Sequence, residues 1–120
     1  MSHIWVVSAD AQAVTDIAET LATLGHGARC FCSANEFVAQ LCCIEECALV
    51  ILEIYMPDIP IWNVLREIAE LENKPPIILM GGSVLDPELT ITESIVGTIQ
   101  KPILAADLEN LMGKLQFEMT

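Results

Sequence analysis

Three short runs of uninterrupted apolar residues, Ile4-Trp5-Val6-Val7, Ala48-Leu49-Val50-Ile51-Leu52 and Ile77-Ile78-Leu79-Met80, constrain this chain more than any other feature. A strand with one wet face alternates apolar and polar residues. A run that is apolar at every position therefore suits a strand covered on both faces, as in a parallel sheet flanked by helices. Between the runs the period changes. Val14, Ile17, Leu21 and Leu24 recur at three and four residues and stop at Gly25, which predicts a helix and its C-terminus. Ser33-Ala34-Asn35-Glu36 reads as a capping box, in which the Ser33 hydroxyl and the Glu36 carboxylate satisfy free amides at the start of a second helix. Ile61, Val64, Leu65 and Ile68 give a third, just after Pro60. Leu104, Leu108, Leu111, Met112 and Leu115 give a last one, with Asp107 and Glu109 near its positive end. With Arg29-Cys30-Phe31-Cys32 and Ile95 to Ile99 as strands, the chain becomes a βαβα series of five units, which predicts a parallel, doubly wound sheet. The fourth helix has the poorest pattern: Asp86-Pro87-Glu88 suits a start, but Thr90, Ile91 and Thr92 lose side-chain freedom in a helix.

Composition narrows the partners. With 120 residues, 53% of them apolar, the chain is expected to form one domain over 1–120. No apolar run approaches the ~20 residues that span a bilayer, and the N-terminus lacks the basic-then-apolar layout of a signal peptide. A soluble, cytoplasmic protein is expected. Seventeen acidic residues against five basic ones give a net charge of −12, which repels phosphate backbones and anionic lipid and argues against nucleic acid or membrane as partners. Cys30, Cys32, Cys42, Cys43 and Cys47 are an odd number without an export signal, so reduced thiols are expected. Their spacing matches no familiar zinc pattern, and packing as small buried hydrophobes is the expectation. His3 and His26 read as strand-edge and turn residues. No metal or cofactor is expected.

In a doubly wound sheet, ligands gather at the carboxyl ends of the strands. The residues there are Ser8-Ala9-Asp10, Glu53 to Asp58, Gly81-Gly82-Ser83 and Lys101-Pro102. Two fragments among these are specific: Leu52-Glu53-Ile54-Tyr55-Met56-Pro57 after one apolar run, and Lys101-Pro102 after another. On these motifs, and on the layout from first strand to closing amphipathic helix, the chain resembles the receiver domains of two-component response regulators, the CheY-like superfamily. The resemblance implies a flavodoxin-like sheet in the order 2-1-3-4-5. It places Glu53 where the family has its phosphate-accepting aspartate, points the Lys101 ammonium at the Glu53 carboxylate, and implies a cis bond before Pro102. The family's acidic pair, which holds magnesium, falls at Ser8 and Ala9, with only Asp10 acidic nearby. A hydroxyl beside a methyl does not replace two carboxylates in an octahedral oxygen shell. The Thr or Ser after the fourth strand falls at Gly81, and the switch aromatic of the fifth strand at Thr98.

Phosphoryl transfer relies on positioning and on a metal that neutralises developing charge. Losing these parts together leaves three readings of Glu53: a buried acid paired with Lys101, a mimic of the phosphorylated state, or part of an unrecognised ligand pocket. The function that follows is a degenerate receiver, not an enzyme, that serves as a phosphorylation-independent interaction module for a protein partner or an attached output domain. One alternative is a conventional receiver phosphorylated by a histidine kinase on Glu53 or Asp58, the latter poorly placed beyond Pro57. Another is a flavodoxin-like small-ligand binder, for which Ser8-Ala9-Asp10-Ala11-Gln12 offers a single hydroxyl. Gly81-Gly82-Ser83 reads as a bare turn. Tyr55 and Trp62 stand near the pocket mouth, as a plug or as partner surface. The resemblance also points to the face made by the fourth helix, fifth strand and fifth helix, which relatives use for dimerisation and output. Here it offers Leu85, Leu89, Ile91, Thr98, Leu104 and Ala105 for a homodimer. The ending Phe117-Glu118-Met119-Thr120 suits a complete protein and a cut domain boundary equally.

Overall fold

The structure, a computed structural model, describes residues 3–81, 95–101 and 103–114. The elements run β1 (His3–Val7), α1 (Ala11–Thr23), β2 (Gly27–Phe31), α2 (Ala34–Ala39), a 3-10 turn (Leu41–Glu46), β3 (Cys47–Glu53), α3 (Ile61–Ala69), β4 (Ile77–Gly81), β5 (Ile95–Gln100) and α4 (Ala105–Lys114). The strands form one parallel sheet in the order β2-β1-β3-β4-β5. This is the flavodoxin-like, doubly wound arrangement that the sequence predicts. The expected fourth helix, with Leu85, Leu89 and Ile91, lies outside the described residues, as do Gly82, Ser83, Pro102 and Leu115.

The continuous apolar runs have the cause expected of them. Alternate side chains of each central strand enter two separate cores. Trp5, Val7, Val50, Leu52, Ile77 and Leu79 pack with α2 and α3 through Phe37, Val64, Leu65 and Ile68. Ile4, Val6, Leu49, Ile51, Ile78 and Met80 pack on the other face with α1 and α4 through Ile17, Leu21, Leu108 and Met112. Trp5, Phe31 and Phe37 meet at ring-centroid distances of 5.1, 6.1 and 5.9 Å. The Arg29 guanidinium covers Trp5 and Phe31 from outside at 5.2 and 5.1 Å.

Helix ends follow local chemistry. Asp10 caps α1, its Oδ1 accepting from Gln12 N and Ala13 N at 3.1 and 3.3 Å. Gly25 closes the helix at φ +88°, with Gly25 N donating to Ala22 O (3.0 Å) and His26 N to Leu21 O (2.8 Å), the paired bonds of a Schellman turn. Ser33 Oγ accepts from Glu36 N at 3.1 Å, as a capping box requires. The long Glu36 arm reaches past Ser33 and takes Cys32 N instead, at 3.2 Å.

Two expectations shift. Strand β2 begins two residues earlier than the sequence suggests and ends at Phe31, leaving Cys32 beyond it. The cysteines also divide: Cys30, Cys32 and Cys42 are exposed, whereas Cys43 and Cys47 are half-buried and pack against the α2/α3 core. Strand β2 is an edge strand, and the 3-10 turn buries Leu41 and Ile44 in preference to its thiols.

A side chain at Gly25 would be forced into the left-handed region, where an L-residue costs about 1–2 kcal/mol. Gly25→Ala is expected to lower the unfolding free energy by about that amount, read from the urea midpoint at unchanged m-value.

Candidate functional site

Strand alternation aims three side chains at one point. Ser8 follows β1, Glu53 ends β3 and Lys101 follows β5, and each shares the parity of residues in the α1/α4 core: Val6, Ile51 and Ile99. The backbone fixes their depth through Ser8 N on Phe31 O (3.0 Å), Ile54 N on Met80 O (2.9 Å) and Lys101 N on Gly81 O (2.7 Å).

Glu53 is 8% exposed, and both its carboxylate oxygens are occupied. Oε1 accepts a hydrogen bond from the Ser8 hydroxyl. Oε2 accepts from Lys101 Nζ at 3.0 Å. The same ammonium donates to Asp10 Oδ2 at 3.2 Å, and Asp10 N donates to Ser8 Oγ at 3.0 Å. The network is thus a closed ring in which Ser8 is donor and acceptor, Lys101 bridges two acids, and Asp10 joins the ring to the first turn of α1. Its formal charge is −1, rimmed by the more exposed Asp10.

Burial opposes the charge on Lys101, but the bonds to Glu53 and Asp10 outweigh it and hold the ammonium above its ordinary pKa. Lys101 and the α1 amide of Ala13 hold the Asp10 carboxyl below the usual carboxylate range. Asp58, poorly placed for phosphorylation on the sequence reading, has a structural partner. Its carboxylate accepts from Ala34 N at 3.2 Å and Asn35 N at 2.8 Å, and the Asn35 amide leads in holding its pKa down.

The structure therefore brings together Ser8, Asp10, Glu53 and Lys101, with Gly81 contributing its carbonyl. Ala9 is exposed beside the ring. Thr98 stands apart on β5, paired in register with Leu79 and open to solvent. Tyr55 and Trp62 do not plug the site: they are 68% and 48% exposed. After Glu53 the chain turns to the α3 side, where Ile54, Tyr55, Met56, Pro57, Pro60 and Ile61 line a shallow groove of about 420 Å³. Of the features that sequence reasoning missed, Asp10 as a cap was available from the rule that an acid directly before a helix caps it. The Asp58 cap carried no local signal, because its partners are remote in sequence.

Comparisons with known proteins agree with the fold. No protein-family model matches the chain. A curated protein, the response regulator protein TmoT of Ectopseudomonas mendocina, is 32% identical over 84 residues, covering 68% of this chain and 36% of TmoT. The chain therefore spans little more than a third of that relative's length. Among solved structures, a response regulator receiver protein from Burkholderia phymatum superposes with a TM-score of 0.79 at 21% identity, covering 98% of each chain. A receiver domain protein from Methanospirillum hungatei gives 0.79 at 22% identity over 97% of this chain and 94% of its own. FixJ-N gives 0.80 at 17% identity over 100% of this chain and 97% of its own. The chain has the fold of a response regulator receiver domain.

Removing one charge of the pair formed by Glu53 and Lys101 is expected to be asymmetric, because Glu53 is buried and Lys101 half-buried. Lys101→Met strands Glu53 and should cost on the order of 3–5 kcal/mol. Glu53→Gln leaves Lys101 bonded to Asp10 and should cost less. The double variant should lie well above the additive sum in a denaturant-melt cycle, and strict additivity would mean that the two groups do not interact.

Acid sensitivity follows from the two lowered carboxyls. A folded-state pKa below the unfolded one stabilises at higher pH, so the Asp10 and Asp58 contributions are present above the ordinary value of 3.8 and fade as pH falls below it. Asp58→Asn should lose stability less steeply than the parent across that window, measured as urea midpoint against pH.

Proposed function

We infer that this chain is a receiver-type signalling module that acts by protein association and is not switched by phosphorylation at Glu53. The observation carrying this reading is the engagement of both Glu53 carboxylate oxygens, one by Ser8 and the other by Lys101. A phosphoryl acceptor must offer an oxygen lone pair in line with the donor, and each bond it accepts makes it a poorer nucleophile. Here one oxygen is hydrogen-bonded by a buried hydroxyl and the other neutralised by an ammonium.

The residues also do not fit the magnesium that the fold family uses. Magnesium demands hard oxygens in near-octahedral array. The Ser8 oxygen is committed to Asp10 N and Glu53, Ala9 brings a methyl, and Lys101 already bridges the two nearest carboxylates. Replacing that ammonium by a metal would require breaking both of its bonds. Of the three readings of Glu53, the buried ion pair has the most support. Mimicry needs a readout, and the positions of the usual relay hold Gly81 and Thr98.

A module of this kind binds and does not catalyse. No helix among the described residues is long and apolar enough to cross a membrane, and a net charge of −12 favours a protein partner over nucleic acid or lipid. The TmoT resemblance supports a signalling context, with a partner protein or attached output domain reading the module, in the cytoplasm. Val96 on β5 and Leu104 before α4 are 40% and 57% exposed, and Thr98 and Ala105 are exposed too, which supports association through these elements.

Incubation with a small acyl phosphate and magnesium, followed by intact mass measurement, should leave the protein mass unchanged. A stoichiometric phosphoryl adduct that disappears in Glu53→Gln would overturn the reading. Light scattering across a concentration series should show the parent self-associating independently of phosphodonor, with Leu104→Glu and Ala105→Glu shifted towards monomer. A parent that stays monomeric would remove the homodimer and leave a heterologous partner.

A further inference from the structure

The five cysteines are not equivalent, and one pair is set apart by geometry. Cys42 and Cys43 are adjacent in the 3-10 turn, and their sulfurs lie 3.7 Å apart. Thiols of neighbouring residues often diverge. Here they converge because the turn is kinked between them: Cys43 has φ −106° and ψ 15°, outside helical geometry. Leu41 and Ile44, buried on either side, anchor the turn to the core. Cys42 is exposed and lines a shallow cleft of about 220 Å³ with Leu41, Ile44, Glu45, Leu71 and Glu72, so a small solute reaches its sulfur.

We propose that Cys42 and Cys43 form an oxidation site that closes to a disulfide between adjacent residues when it meets a hydroperoxide. The exposed Cys42 thiolate attacks hydrogen peroxide. The O–O bond breaks, an S–O bond forms, and one water leaves with a proton from solvent. The Cys43 sulfur then attacks the Cys42 sulfenic acid; the S–S bond forms, the S–O bond breaks, and the hydroxyl departs as a second water with the Cys43 proton. Two thiols lose two electrons, which the peroxide takes up. The partition of roles follows from the contact: the hydrogen bond to Cys42, and the charge that Cys42 can carry, hold the Cys43 thiol above its ordinary pKa, so Cys43 keeps its proton until the second step.

The remaining thiols are built differently. Burial pushes Cys47 up to about 11, which keeps it protonated and unreactive. Burial, and then Cys32, raise the Cys30 thiol.

The sequence makes the test simple, because cleavage after glutamate separates the three groups: 20–36 carries Cys30 and Cys32, 37–45 carries Cys42 and Cys43, and 47–53 carries Cys47. The intact chain is titrated with hydrogen peroxide, alkylated under denaturing conditions, cleaved and weighed. At doses that leave 47–53 fully alkylated, peptide 37–45 should lose both alkyl groups and be lighter by two hydrogens than its reduced form, with both groups recovered after reduction. Cys43→Ser should instead leave Cys42 as a sulfenic acid captured by a cyclic diketone. The proposal is overturned if 37–45 stays doubly alkylated while 20–36 oxidises. It is equally overturned if Cys42 bonds to a second chain, or if Cys43→Ser yields no captured sulfenic acid.

Discussion

A carboxylate at the end of the central strand has to be compensated within reach of its own side chain, and the surrounding structure is arranged to do so. Removing Glu53 from water costs several kcal/mol unless its oxygens find partners. Those partners come from three separate segments: a hydroxyl after β1, an ammonium after β5 and, through that ammonium, an acid at the start of α1. The same contacts that neutralise the charge hold the carboxyl ends of strands far apart in sequence at a common level. Chemistry and architecture therefore meet in one cluster: a loss at Lys101 is felt as an unpaired buried charge and as a loosened β5, and a loss at Asp10 as a weakened helix start.

The sheet supplies the precision this cluster needs. Parallel strands in register, with Glu53 opposite Met80 and Gly81 opposite Gln100, set the heights of the side chains. Packing on both faces leaves the strands little freedom to slide, since a slip by one residue would exchange the two cores. Gly97 illustrates the tolerance. A Cβ there would lie 2.9 Å from Leu111 Cδ1, so the Leu111 side chain takes up the space beside the glycine and would have to shift to admit a methyl.

Much of this was legible in the sequence because it rests on local pattern. The apolar runs determine strands, the three-and-four spacing of Ile61, Val64, Leu65 and Ile68 gives a helix face that is buried in full, and the pairing of Glu53 with Lys101 follows from where two motifs fall on the resemblance. What was not legible depends on relations between segments. Ser8 looks like a lost metal ligand until its hydroxyl is placed against Glu53. Asp58 looks like an idle loop acid until α2 is brought beside it. The cysteines look like core residues by type, yet the position of β2 at the sheet edge leaves Cys30 and Cys32 exposed and the 3-10 turn leaves Cys42 exposed, while Cys43 and Cys47 pack against the core.

The Asp58 cap has a further consequence for the segment that follows Glu53. Ile54 is tied to β4 through Met80 O, and Asp58 is tied to α2 through two amides, so Tyr55, Met56 and Pro57 form a short arch clamped at both feet. A free loop surrenders conformational entropy when something settles on it; a clamped one has surrendered most of it during folding. The 68%-exposed Tyr55 ring is thus presented on a preorganised support, and the contact area it offers to any neighbouring molecule comes with little further ordering cost.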